Sequence, residues 1–187
     1  MSYIVSSDTI IDNMSFIFVQ SLAIIASIFF AISFHARSKN RILMRQLISL
    51  LIWGAHFLFL SAWTGLAVMG VNMVVTVVFL FKEQHEWAKK IYILYLSIIV
   101  LAIVTFITWT GFYSIFGFLG VGSIILAKWQ NDPRQIRLIS IFASVFWIIY
   151  DLFVGSYGGI ISECAFIISI IISLIRNKNQ SGTERAQ

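Results

Sequence analysis

A chain of 187 residues that is 59% hydrophobic, 16% aromatic and only 11% charged, with a mean hydropathy of +0.92, is too apolar for a soluble domain and reads as an integral membrane protein. Its net charge of +5 does not signal nucleic acid, because the basic residues fall only between long apolar runs, where they act as topology signals facing anionic lipid. The single cysteine, Cys164, excludes an internal disulfide and lacks companions for a metal site, so it reads as a small helix-packing residue.

Residues 1–13 are polar and mildly acidic, with Asp8 and Asp12 but no Lys or Arg. A secretory signal would start with a basic segment, so the first span is expected to stay in the mature protein. That span runs from about Met14 to Phe34 and ends in the basic loop containing His35, Arg37, Lys39 and Arg41. The second, about Leu43 to Trp63, carries Arg45 at its loop end and His56 inside. A short Thr64-Gly65 turn is expected to lead into a third span from Leu66 to Phe81, forcing an antiparallel hairpin. After the charged stretch Lys82 to Lys90 comes a fourth span, Ile91 to Thr108, whose only ionisable groups are Tyr92 and Tyr95; it reads as a spacer. An uncharged link, Trp109 to Tyr113, precedes a fifth span to about Ala127, and Lys128 to Arg137 reads as another basic loop. The sixth and seventh spans are Leu138 to Val154 and Ile160 to Ile175. All 13 Lys and Arg fall after spans one, three, five and seven, which predicts an amino terminus outside and the tail 177–187 in the cytoplasm.

The stretch Phe146 to Ile168 sets two carboxylates, Asp151 and Glu163, in apolar sequence. Each lies about four residues from the Gly155 to Gly159 turn, so at ~1.5 Å per residue both are expected about 6 Å below one mouth of a helical hairpin. An acid at that depth must be partnered, protonated or wetted, which makes it a functional candidate. His56 is expected at a similar level, and the three together would form a proton relay or cation site. The competing reading is that the acids are hydrated near the outer surface or lock two helices together. Asn72 lies deeper, where it binds substrate or bridges helices. Gln20 and Tyr150 are weaker substrate-binding candidates. Trp53 and Trp147 either flank a pocket as stacking walls or are plain core aromatics. The run Gly117 to Ser123 reads as a small-residue surface for close helix approach, not a phosphate loop. No metal, cofactor or nucleophile motif occurs, so the chain is not expected to be an enzyme.

Sliding the chain by 94 residues pairs Trp53 with Trp147, Leu58 with Leu152, Phe59 with Phe153, Gly65 with Gly159, Leu80 with Leu174 and Lys82 with Arg176. Hydropathy, charged loops and outer turns coincide under the same shift. Residues 14–82 and 109–176 therefore read as two repeats joined by a linker helix, 91–108, within a single domain. An odd linker gives both repeats one orientation, parallel about the membrane normal. The expected fold is all-α, with seven transmembrane helices in a three-plus-one-plus-three arrangement.

This plan resembles the SWEET and PQ-loop group of small transporters, which includes the PnuC-type vitamin carriers. Two hairpins, His56 to Asn72 through Gly65 and Trp147 to Glu163 through Gly155 to Gly159, are similar to those of the bacterial inner-membrane YgjV family over nearly the whole chain. The SWEET pattern implies a pocket flanked by polar residues of the third and seventh helices, with Asn72 the candidate on the third. The only proline, Pro133, lies in a loop, so the proline hinges of SWEET helices are missing here.

The resemblance and the intramembrane acids together imply a secondary transporter or facilitator of a small polar or aromatic metabolite in the bacterial inner membrane, with proton coupling through His56, Asp151 and Glu163. The alternative is a receptor or interaction protein that keeps the fold without translocating anything. Expected partners are a small-molecule substrate and the lipid bilayer, without nucleic acid; a homo-oligomer stays open.

Overall fold

In a computed structural model, residues 7–33, 39–82, 84–130 and 132–184 are described, with side chains over 15–32, 43–82, 84–130, 132 and 134–172. His35 and Arg37 of the first basic loop and the side chains of residues 173–187 lie outside the described residues. The described chain is helical throughout. It forms α1 (Ser7–Ser33), α2 (Lys39–Phe59), α3 (Trp63–Leu80), α4 (Ile91–Ile107), α5 (Ser114–Trp129), α6 (Pro133–Val154) and α7 (Tyr157–Glu184), with a 3₁₀ turn at Glu86–Lys89.

Local chemistry moves several boundaries from where apolar runs alone put them. The Asp132 side chain accepts from Arg134 N at 2.9 Å and Pro133 takes the first helical position, so α6 starts within the expected basic loop. At the other edge of that loop, Lys128 and Trp129 belong to α5. The expected Thr64-Gly65 turn is also corrected. The chain reverses at Leu60 to Ala62, where Ser61 takes a left-handed φ of 53°. Ala62 N donates to Phe57 O at 2.9 Å and Ser61 N to Leu58 O at 3.0 Å, the paired bonds of a Schellman ending. Gly65 sits inside α3, and its need is for space: a Cβ there would lie 2.9 Å from the Phe57 ring and from the Tyr150 hydroxyl.

The α6 to α7 link repeats the geometry with Gly155, φ 73°, and with Ser156 N donating to Asp151 O at 2.9 Å. Only Gly155 and Ser156 lie between these helices, and Gly158 and Gly159 are already in α7. Asp151 thus stands three residues before the end of α6 and Glu163 six residues into α7, which places Glu163 about 4.5 Å deeper and corrects the expected equal depth.

Helix α1 packs on α2 and α7, α5 packs on α6 and α3, and α4 lies against α3 and α5. Aromatic rings fill the space between α2 and α6: Phe57 stacks between Trp53 (5.7 Å between centroids) and Trp147 (5.6 Å). Trp147 of α6 reaches α5 because Gly120 leaves room; a Cβ at 120 would lie 2.9 Å from the Trp147 indole nitrogen.

The distribution of polarity is that of a protein solvated by lipid. Phe106 is 82% exposed and Ile107 74%, whereas Gln46, Ser49, His56, Asn72, Thr76 and Asp151 are buried. Three helical stretches, Ser15–Ile32, Trp63–Leu80 and Arg134–Val154, are long and apolar enough to cross a membrane, and the other four helices carry shorter apolar segments.

Candidate functional site

The site forms where α1, α2, α6 and α7 meet beside the Gly155 turn. His56, three residues before the end of α2, is fully buried. Its Nδ1 lies 2.8 Å from Val19 O in α1, and its Nε2 lies 2.8 Å from Ser156 Oγ in the α6 to α7 link. A carbonyl only accepts, so Nδ1 carries a proton and donates. Ser156 Oγ also lies against the carboxyl of Asp151, a residue 1% exposed, where the hydroxyl can pair with it. Gly159 makes this approach feasible, because a Cβ there would overlap both Asp151 Oδ2 and Ser156 Oγ. The other carboxyl oxygen, Oδ1, has no hydrogen-bond partner among the described residues.

Two proton arrangements satisfy this chain. With a neutral imidazole, Ser156 donates to His56 Nε2 and accepts from a protonated Asp151. With an imidazolium, Nε2 donates to Ser156, which donates to the Asp151 carboxylate. The two hold the same number of protons and interconvert by one concerted shift through the Ser156 hydroxyl.

Gln20 braces the turn from α1: its Nε2 donates to Gly155 O at 2.9 Å, and Gly158 N donates to its Oε1 at 2.8 Å. Both ends of its amide hold the loop that carries Ser156. Glu163, half-buried, is an electrostatic neighbour of Asp151 and lies beside Ser144 of α6. The structure thus joins His56, Asp151 and Gln20 directly around one turn and sets Glu163 beside them. Among the described residues, no three His, Cys, Asp or Glu side chains gather as a metal-binding group.

Trp53 and Trp147 are 9% and 3% exposed and lie in the aromatic stack. Tyr150 is fully buried and accepts from Gly65 N at 2.7 Å, tying α6 to the start of α3. Asn72 stands apart from the His56 group: its Oδ1 accepts from Lys128 Nζ at 2.9 Å.

A family model described as Imp-YgjV, bacterial inner membrane protein, matches residues 17–181. The chain belongs to this family. The matched segment takes in helical sequence from α1 to α7, and bacterial inner-membrane residence agrees with the lipid-facing surface of this YgjV-family chain. No curated protein and no solved structure matches it.

Sequence reading of this YgjV-family member missed Ser156, Ser144, Lys128 and Thr76. Serines in apolar helices are too common to stand out. The spacing of Ser156 from Asp151 does carry a signal, because the residue after a left-handed glycine returns its N–H to the carbonyl five residues back, bringing residues 151 and 156 together.

Proposed function

We propose that the protein is a secondary transporter or facilitator of a small polar or aromatic metabolite, such as a vitamin precursor, a nucleoside-like compound or a sugar. It is built as two parallel three-helix repeats in the SWEET and PQ-loop manner, with its amino terminus outside and its carboxyl terminus in the cytoplasm. It moves solute without catalysing a reaction, and its partners are that solute and the bilayer.

Several details support the repeat. The two left-handed residues, Ser61 and Gly155, are 94 positions apart. Trp53 meets His56 edge-on at 5.5 Å and 84°, and Trp147 meets Tyr150, each 94 residues on, at 5.6 Å and 89°. Gln20 of α1 bonds Gly158 of α7, and the corresponding pair, Ser114 of α5 and Thr64 of α3, lies 3.0 Å apart. Each outer helix of one unit therefore leans on the third helix of the other.

The observation that carries the transport reading is the buried His56–Ser156–Asp151 chain across the seam between the units. A protonatable relay held at a moving interface can bind a proton in one conformation and release it in another. The test is purified protein in vesicles loaded with a pH-sensitive dye and presented with a vitamin precursor, a nucleoside or a hexose. Solute entry with internal acidification supports the coupled reading, and entry without it supports facilitation. Saturable binding with no entry would replace transport by the receptor reading.

A further inference from the structure

Lys128 is one residue from the cytoplasm-facing end of α5 under the proposed topology, where a lysine would ordinarily extend toward water. Its ammonium turns back into the bundle instead. Nζ donates to Asn72 Oδ1 at 2.9 Å and to Thr76 Oγ1 at 2.7 Å, and these partners are 2% and 0% exposed. By helix rise they stand about 6 to 12 Å inside the Leu80 end of α3.

The hydrogen bonds around the ammonium are directional. Thr76 Oγ1 donates to Asn72 O at 2.7 Å, so toward Lys128 it can only accept. Asn72 presents its oxygen to Lys128, and its amide nitrogen, on the same carbon, makes no bond among the described residues. The ammonium has three N–H groups and uses two. What remains unfilled is therefore donors: one N–H of Lys128 and the NH₂ of Asn72, side by side. No carboxylate among the described residues pairs with this cation. A half-buried positive charge held by two neutral oxygens among the described residues lacks a counter-charge.

We propose that Lys128 and Asn72 form a binding site for an oxyanion, a carboxylate or phosphate group, in the inner half of the α3 to α5 seam. A planar carboxylate or a phosphate accepts from both donors at once and supplies the missing negative charge. The 94-residue counterparts of Asn72 and Lys128 are Phe166 and Phe34, and Phe166 meets Phe30 edge-on at 5.6 Å. The site is thus a property of one seam alone. It stands on static geometry and does not depend on the transport reading.

The test is equilibrium binding by the full chain in detergent, read as the thermal unfolding midpoint at matched ionic strength. Sodium acetate and sodium phosphate are the free-anion probes, with sodium chloride and neutral acetamide as controls. A parallel arm uses phosphatidylglycerol against phosphatidylcholine discs. A saturable rise with acetate or phosphate identifies a soluble oxyanion, and a rise only with phosphatidylglycerol identifies a lipid phosphate. Lys128→Gln should weaken the response ~10-fold or more, the effect of losing a charged hydrogen bond, and Lys128→Arg should retain it. If Lys128→Gln does not fold, reductive methylation of the unaltered protein decides, since the bound anion should protect Lys128 and chloride should not. Equal effects of chloride and every oxyanion, or an undiminished response in a folded Lys128→Gln protein, would overturn the proposal.

Discussion

His56 Nε2 lies 2.8 Å from Ser156 Oγ, a contact spanning 100 residues that ties α2 to the turn between α6 and α7. Because Nδ1 is committed to Val19 O at 2.8 Å, the state of the imidazole can be signalled only through Nε2, and hence only through Ser156. Among the described residues, the serine hydroxyl faces both titratable partners.

Replacing Ser156 by Ala should therefore strand His56 Nε2 and the Asp151 carboxyl together in a buried place. Two buried polar groups losing a shared partner predicts a loss of about 1–3 kcal/mol. Tryptophan fluorescence during thermal unfolding is the measurement, and an unchanged midpoint would remove Ser156 from the network.

Gly159→Ala tests the same turn by volume. The added methyl would collide with Asp151 Oδ2 and Ser156 Oγ, neither of which is the free end of a flexible chain, and overpacking of this kind costs about 1–3 kcal/mol. Gly70→Ala in α3 is the internal comparison, because nothing lies within 4 Å of a Cβ at that position. There, relief from glycine in a helix interior should stabilise by up to about 1 kcal/mol. Equal unfolding midpoints for the two variants would contradict the crowded turn.

The sequence carried the helix count, because apolar runs separated by charge require spans, and it singled out His56 and Asp151 because ionisable groups are conspicuous in such runs. It misplaced the turns. Thr64-Gly65 and the Gly155 to Gly159 stretch both look like links, yet Gly65 and Gly159 are spaces for Tyr150, Phe57, Asp151 and Ser156 inside helices. A glycine that turns the chain and one that admits a neighbour are identical in one dimension. Lys128 reads as a loop residue for a similar reason: charge near a helix end normally faces water, and only the positions of Asn72 and Thr76 on another helix reveal that it faces inward.

The loop between α3 and α4 offers a titration far from the site. Glu86 Oε1 accepts from Lys89 Nζ at 2.6 Å, and this hydrogen bond, with the charge of Lys89, holds the exposed carboxyl below its ordinary 4.5. A depressed carboxyl supports the fold above its unfolded pKa and loses that support as pH falls through the folded value. The pair should hold at neutral pH and dissolve only in acid below the usual glutamate range. Carbon-detected titration of Glu86 should show an upward shift in Lys89→Ala; the same midpoint in both proteins would mean that the contact is not maintained in solution.

The decisive variants separate the two acids. Asp151 faces Ser156 and through it His56, with Glu163 and Tyr150 as its other charged or titratable neighbours. Asp151→Asn keeps the shape, and its amide can donate to Ser156 as the protonated acid would, so the protein should fold, locked in the neutral-imidazole arrangement. It should lose proton coupling: in the loaded-vesicle assay, solute entry should no longer depend on pH. Glu163 does not touch Ser156 in any described bond and lies beside Ser144 instead, a contact that Gln preserves. If Glu163 delivers protons to Asp151, Glu163→Gln should abolish pH-dependent uptake while leaving the unfolding midpoint near that of the parent. If it serves only to join α7 to α6, the pH profile should stand unchanged. Both variants keeping the parent pH profile would show that neither carboxyl carries the coupled proton, and the relay would then be a structural lock on the Gly155 turn.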